Sequence, residues 1–446
     1  MKILFIHQNF PGQYLRLVQH LRDLGGHEIL GIGETGNIRN RGMLRGVALR
    51  GYSAPKESGS DVHHYLRDTQ TAVRRGQNVA RILLALRAEG YAPDVISVHP
   101  GWGEGLFARD VFPRVPLLMY CEFFFSAETG YLDFDPEFPA TVDGRFSLRI
   151  RNAVQLISLP AADALVSPTA WQRSRYPALL RRGIRKLHDG IDADYMRPDS
   201  GAALALAPLS IPGESLLVQE ATGKAISAPE GLITLRPGDK TITYAARNLE
   251  PHRGIHRFLR ALPEVLRRHP DCRVLLAGAD GVSYSQIPPD KQTYKARYLA
   301  ELEGQLDLSR IHFLGRVSYA DLRRIFQVSA VHVYLTYPFV LSWSVLEAMA
   351  CGCLVLASRT APVQEVVRHK RNGLLVDFFD QQGLVQALDT VLDRPGDFAR
   401  LRAAARRTIL SRYNLSSCLE GQTKLLLDLA AGKYTVPAGR THESAS

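Results

Sequence analysis

Two arginines, Arg247 and Arg253, stand in the stretch Arg247-Asn248-Leu249-Glu250-Pro251-His252-Arg253-Gly254. The stretch directly follows an apolar run, Thr241–Ala246, that reads as a buried strand. Guanidinium groups at a strand end and a helix start can chelate a diphosphate bidentately. Ligands of open α/β sheets sit beyond the carboxyl ends of the strands, which makes both arginines candidate ligands for an anion. A second group runs from Thr336 to Met349, where a strand gives way to a loop with Ser342 and Ser344 and then a helix carrying Glu347. Backbone N–H groups at such a helix start suit a phosphate, and Glu347 can accept hydrogen bonds from ribose hydroxyls. Ser342 also has the character of an N-cap.

Three further groups carry chemistry. Pro11-Gly12-Gln13 sits between a strand and a helix, and the glycine lets the backbone approach an anion closely; it is not a G-x-G-x-x-G fingerprint. His99, Trp102 and Glu104 in His99-Pro100-Gly101-Trp102-Gly103-Glu104-Gly105, with Glu122 and Phe124 after Cys121, combine aromatic rings and carboxylates. Such a wall holds sugar rings by stacking and hydrogen bonds, or else it is core. Asp133-Phe134-Asp135 is a D-x-D, which holds a divalent metal in some proteins, but no further acids stand at metal-site spacing. No metal is assigned. The five cysteines, at 121, 272, 351, 353 and 418, form neither a disulfide framework nor a zinc site, and read as packed thiols of a reducing cytoplasm.

The elements that must position these groups alternate along the chain. Apolar runs at Ile3–Ile6, Val95–Val98, Pro116–Tyr120 and Ala164–Val166 predict buried parallel strands. Leu17, Val18, Leu21 and Leu24 recur at helical spacing between them. A second series begins at Thr241–Ala246 and continues through Arg273–Ala277, Ile311–Leu314, Val331–Thr336 and Cys353–Ala357. The expected fold is α/β: two Rossmann-like domains facing each other across a cleft, with a C-terminal helical segment. The expected boundaries are 1–199, an Ala/Gly/Pro/Ser-rich linker at 200–240 with a small hairpin near 215–235, a second domain at 241–396, helices at 397–433 packing back towards the first domain, and a tail at 434–446. The start, MKILFIHQNFPGQ, fits a first strand rather than a signal peptide, and no apolar run is long enough to span a membrane. Lys and Arg outnumber Asp and Glu, 55 to 44, for a net charge of +11 that favours anionic partners. Nucleic acid is excluded as the partner, because no helix-turn-helix, zinc module or basic repeat is visible.

The block 241–380 resembles the donor-binding half of the family 4 (group 1) retaining glycosyltransferases, which have the GT-B fold. The matching segments are Arg247 to Gly254, Val274-Leu275-Leu276-Ala277-Gly278, Phe313-Leu314-Gly315-Arg316-Val317, Val345-Leu346-Glu347-Ala348-Met349-Ala350-Cys351-Gly352 and Gly373-Leu374-Leu375-Val376. His188-Asp189-Gly190-Ile191-Asp192 also fits. The resemblance implies that Arg247 and Arg253 bind the donor diphosphate, that Glu347 holds the ribose, and that Arg316-Val317 contacts the base. It implies that Gly12 faces the diphosphate from the other domain. The first acid of the family's paired-glutamate motif is replaced by Phe339, and Ser342 stands where a glycine is usual. His99 fits a family histidine, and a second one falls at Cys121 or Glu122, of which Glu122 is the polar candidate.

The function that this resemblance implies is that of a metal-independent, retaining hexosyltransferase. It should move sugar from a nucleotide diphosphate-sugar to a glycan or glycolipid acceptor. The implied setting is cell-surface polysaccharide biosynthesis, in the cytoplasm or at the inner face of its membrane. Glu122, His99, Arg247 and Arg253 are the candidate catalytic groups; Trp102, Glu104 and Phe124 are the candidate acceptor side. No cofactor is implied beyond the donor co-substrate. A nucleotide-sugar epimerase and a non-catalytic nucleotide-sugar binder are the alternatives.

Overall fold

The computed structural model describes residues 1–41, 44–127, 130–218 and 231–434. They form two compact units, Met1–Gly190 with the chain from Leu415 on, and Ile191–Asn414. The first unit holds seven strands: β1 (Lys2–Ile6), β2 (Glu28–Glu34), β3 (Ala48–Tyr52), β4 (Val95–Val98), β5 (Leu117–Tyr120), β6 (Ala164–Ser167) and β7 (Ile184–Lys186). They pair in parallel in the order β3-β2-β1-β4-β5-β6-β7. The continuous apolar run of β1 follows from burial on both faces. Ile3 and Phe5 enter one core with Leu118 and Val166, while Leu4 and Ile6 enter the other with Ile96 and Leu165.

The second unit begins with a small antiparallel sheet, β8 (Leu204–Pro208), β9 (Ser215–Val218) and β10 (Ile233–Leu235), in the order β10-β8-β9. Its main sheet comprises β11 (Thr241–Asn248), β12 (Arg273–Ala279), β13 (Ile311–Gly315), β14 (Val331–Tyr334), β15 (Val355–Ser358) and β16 (Leu374–Val376). All neighbours are parallel, in the order β13-β12-β11-β14-β15-β16.

Three boundaries differ from expectation. The stretch 200–240 is no free linker: Leu204, Leu206 and Leu235 are buried in the core of the second unit, and Lys295 holds Glu214 at 2.5 Å. The hairpin foreseen near 215–235 is instead 204–218, with residues 219–230 outside the described part. The second unit already starts at Ile191, because Ile191, Ala193 and Met196 join its core. The C-terminal helices separate. Helix Ala399–Arg412 stays with the second unit through Ala405 and Ile409, while helix Leu415–Ala430 packs Leu425, Leu426 and Leu429 into the first. The tail foreseen at 434–446 lies outside the described residues from 435 on.

The five cysteines are buried free thiols. Among the described residues no helix is long and apolar enough to cross a membrane.

Two buried histidines make stability depend on pH. His188 accepts the Gly190 N–H at Nδ1 (2.9 Å), and burial, with Lys186 nearby, pushes it down to about 4. His312 lies 3.0 Å from Ser215 Oγ, and burial followed by Arg273 pushes it also to about 4. Both are neutral when folded and take a proton near the ordinary histidine value when unfolded. Their stabilisation is therefore complete above pH about 6.5 and lost as pH falls to about 4, at up to about 3 kcal/mol each. Melting temperature should drop across that window; a flat profile would refute the assignment.

Candidate active site

In the first unit the strand order reverses between β1 and β4, and their carboxyl ends carry His7 and His99. Such a switch point opens a crevice for ligands. The two imidazole rings lie 5.1 Å apart, and Trp102 stacks on His99 at 4.4 Å. Backbone amides set both tautomers: Asn9 N–H donates to His7 Nδ1 (2.9 Å) and Gly101 N–H to His99 Nδ1 (3.2 Å). Each ring then carries its proton on Nε2. His7 Nε2–H donates to Gln13 Oε1 (2.5 Å), and Gln13 Nε2–H donates to Glu122 Oε1 (2.8 Å). His99 Nε2–H donates to Glu122 Oε2 (3.3 Å). The carboxylate of Glu122 is thus fixed by two donors while its side chain stays 29% exposed. Gln172 holds the Glu122 carbonyl from beneath (2.7 Å).

Gly12 lies in the left-handed region (φ +51), and a β-carbon there would come within 2.4 Å of the His7 ring. The glycine is needed for the packing of His7, whatever ligand faces the loop. His7 and Gln13 were not selected as functional from the sequence. The signal was their position directly after the first strand, but nothing local shows that Gln13 bridges to Glu122.

Of the acceptor-side candidates, Glu104 needs correction. Glu104 is fully buried, accepting from Tyr52 OH (2.8 Å) with Arg75 at 3.9 Å. Burial pushes its carboxyl upward, with Arg75 opposing, so it anchors the core and faces no acceptor. Phe124 packs against the core, 5.5 Å from the Tyr176 ring. The D-x-D is used by its own loop: Asp133 accepts from Ala140 N–H and pairs with Arg145, and Asp135 caps Glu137 N–H.

In the second unit the order reverses between β11 and β14. β11 bulges between Ala245 and Asn248, and the exposed Arg247 lies in that bulge without a carboxylate partner among the described residues. Arg253 is the opposite case. It is buried, and Nη1 donates to Thr336 Oγ1 (2.9 Å), Tyr334 OH (3.2 Å) and the Val340 carbonyl (3.2 Å). Those contacts join the ends of β11 and β14. Gly254 follows at φ +72, and a β-carbon there would meet Leu335 Cβ at 2.4 Å. Tyr334 OH in turn accepts the Ser342 N–H (2.9 Å), coupling Arg253 to the start of helix Trp343–Ala350. Ser342 Oγ caps that helix at Ser344 N–H (3.3 Å) and lies 2.9 Å from Ser344 Oγ. Glu347 is buried on the same helix and accepts from Tyr319 OH (3.0 Å).

Phe339 lies in an aromatic nest, 4.8 Å from both the His252 and Tyr284 rings. Burial, with Arg253 close by, holds His252 well below the usual histidine value, so that ring is neutral. Glu250, which the sequence did not single out, accepts three backbone N–H groups, from Ser283, Tyr284 and Ser285 at 2.8–3.1 Å, and so fixes the Tyr284 side of the nest. Arg316 is exposed after β13, and Val317 packs on the core.

Comparison with known proteins agrees with this division. Residues 25–196 match the profile of the glycosyl transferase family 4 group, and residues 233–408 match that of glycosyl transferases group 1. The first part of the chain is thus similar to the glycosyl transferase family 4 group and the second to glycosyl transferases group 1. D-inositol 3-phosphate glycosyltransferase of Mycobacterium sp. strain KMS is 30% identical over 183 residues, which is 39% of this chain and 40% of that protein. The chain therefore aligns with less than half the length of this curated relative. Sucrose-phosphate synthase of Thermosynechococcus elongatus superposes with a TM-score of 0.68 at 17% identity, covering 97% of this chain and all of the other. HepE of Anabaena, solved with UDP-glucose, gives 0.63 at 16% identity, covering 96% and 100%. The fold is GT-B: two parallel-sheet α/β domains with C-terminal helices.

Proposed function

We propose that the protein is a retaining glycosyltransferase that moves a sugar from a nucleotide diphosphate-sugar to a glycan or lipid-linked acceptor, in cell-surface polysaccharide synthesis. The observation that carries the reading is the pair of cations at the β11/β14 switch point, one buried and fixed, one exposed and unpaired, beside a capped helix start. Fixed cations and orphan amides stabilise the charge that develops on a departing diphosphate, the dominant electrostatic term in such transfers. The UDP-glucose bound by HepE supports a nucleotide-sugar donor.

In this reading Arg247, Arg253 and the amides after Ser342 hold the diphosphate, Glu347 the ribose, and Arg316-Val317 the base. Phe339 replaces an acid at the sugar, so the donor sugar would meet an aromatic ring rather than a carboxylate. Gly12, Trp102, His99 and Glu122 orient the reacting groups from the first unit. The leaving phosphate takes the acceptor proton, and no metal is required. The site of action would be the cytoplasm. An exposed basic surface, with Arg181, Arg182, Arg185 and Lys186 around Leu179 (80% exposed), would favour the anionic inner face of its membrane.

The test is to incubate the protein with nucleotide diphosphate-sugars and candidate acceptors and to follow nucleoside diphosphate and product anomer. Acceptor-dependent release with retained configuration is expected, at a rate unchanged by a metal chelator. Free epimerised nucleotide sugar would identify an epimerase instead, and binding without release a non-catalytic homologue. Loss of activity with chelator would reject the metal-free mechanism.

A further inference from the structure

A groove of about 910 Å³ in the second unit is lined by four arginines, Arg368, Arg371, Arg407 and Arg412, and by no acidic residue. Two come from the turn before β16 and two from helix Ala399–Arg412. The turn is tied to the helix by one buried side chain. Asn372 Nδ2 donates to Thr408 Oγ1 (3.0 Å) and to the Val366 carbonyl (2.9 Å), while its Oδ1 accepts the Arg368 N–H (2.6 Å). Thr408 donates onward to the Ala404 carbonyl within the helix (2.8 Å). The two pairs of arginines are therefore presented from a braced frame, not from independent loops.

The charge in this groove is uncompensated. None of the four guanidinium groups pairs with a carboxylate among the described residues, although Arg267, Arg268, Arg310 and Arg324 elsewhere in the same unit all do. Four like charges lining one concavity repel one another, and an anion relieves that repulsion. The groove is open to solvent, and all four arginines are exposed in it. It is also distinct from the switch point. In a parallel sheet the residues preceding β16 lie at the amino edge, whereas Arg247 near the end of β11 and Thr336 after β14 lie at the carboxyl edge.

We propose that this groove is a second anion site, which binds a phosphate-bearing ligand contacted by guanidinium groups from both the turn and the helix. The chemistry fits a free oligophosphate or phosphorylated metabolite and a phosphorylated lipid headgroup alike, since guanidinium forks take phosphate oxygens in pairs.

The test uses the full chain with Arg247→Ala, which weakens phosphate binding at the proposed donor site. Tripolyphosphate is titrated calorimetrically, and capture on phosphatidylglycerol vesicles is measured against phosphatidylcholine vesicles. Adding Arg371→Ala and Arg407→Ala, both exposed, should weaken binding of at least one probe by about tenfold or more without lowering the melting temperature. The exposed pair Arg394→Ala and Arg400→Ala, on the same unit but outside the groove, should change neither. Loss for tripolyphosphate identifies a soluble ligand, and loss for vesicles alone a headgroup. Equal binding with and without Arg371 and Arg407, or an equal loss from the Arg394 and Arg400 pair, overturns the site.

Discussion

Arg247→Ala is expected to lower sugar transfer by about a hundredfold or more and to weaken donor binding, with the melting temperature unchanged. Arg247 is exposed at the end of β11 and pairs with no carboxylate among the described residues, so its removal disturbs little of the fold. What is lost is a charge aimed at the leaving diphosphate. Arg253→Ala should be as damaging to transfer but should also destabilise. It leaves the Val340 carbonyl and the Thr336 and Tyr334 hydroxyls without their shared donor, a cost of about 1–3 kcal/mol for a buried group left unsatisfied. The two variants together separate a binding role from a structural one. Unchanged donor affinity in Arg247→Ala, measured by calorimetry, would sink the diphosphate assignment.

The second large effect is predicted for Glu122→Ala. Glu122 receives Gln13 and His99 on its two oxygens and keeps part of its side chain in solvent, which is how a carboxylate is held ready for a ligand hydroxyl. Turnover should fall by about a hundredfold, in the range ordinary for a positioned proton-handling or orienting group. Donor affinity should be retained, because the proposed donor ligands belong to the second unit. A merely structural role would show as a lowered melting temperature and a parallel loss of donor binding. Glu122→Asp should restore part of kcat, and turnover equal to the parent protein in Glu122→Ala would remove this residue from the reaction.

Much of the architecture was readable along the chain; β2, β3 and β7 were not, and the last two were hidden by their place at the sheet edges. β1, β4, β5 and β11 are buried on both faces, so their composition announces them. β3 and β7 lie at the two edges of their sheet, where Ala48, Arg50 and Gly51 or Arg185 and Lys186 face solvent and the apolar signal fades. The stretch 200–240 looked like a linker because its small residues show no helical period. Its strands are short and lean on a core built by distant residues.

The candidate site divides in the same way. Arg247, Arg253, His99, Glu122 and Glu347 each stand just after a strand or on the helix that follows one, and that is a local property of the sequence. Glu104 is one residue type in one loop by the same criterion, yet it is buried against Tyr52 and Arg75, from elements far away in the chain.

By itself the sequence determined the alternation of strands and helices, the surplus of positive charge and the residue types at each strand end. Hydrophobic period and turn chemistry act over a few neighbouring residues, and these features need nothing more. The tertiary structure alone decided the order of the strands. That order puts β1 beside β4 and β11 beside β14, so it joins His7 through Gln13 to Glu122 and seats Arg253 against Tyr334 and Thr336. It also separated the last two helices and brought four arginines to one open groove. The physical reason is that sheet order and helix docking are settled by packing among residues far apart in the chain, where no local pattern reaches.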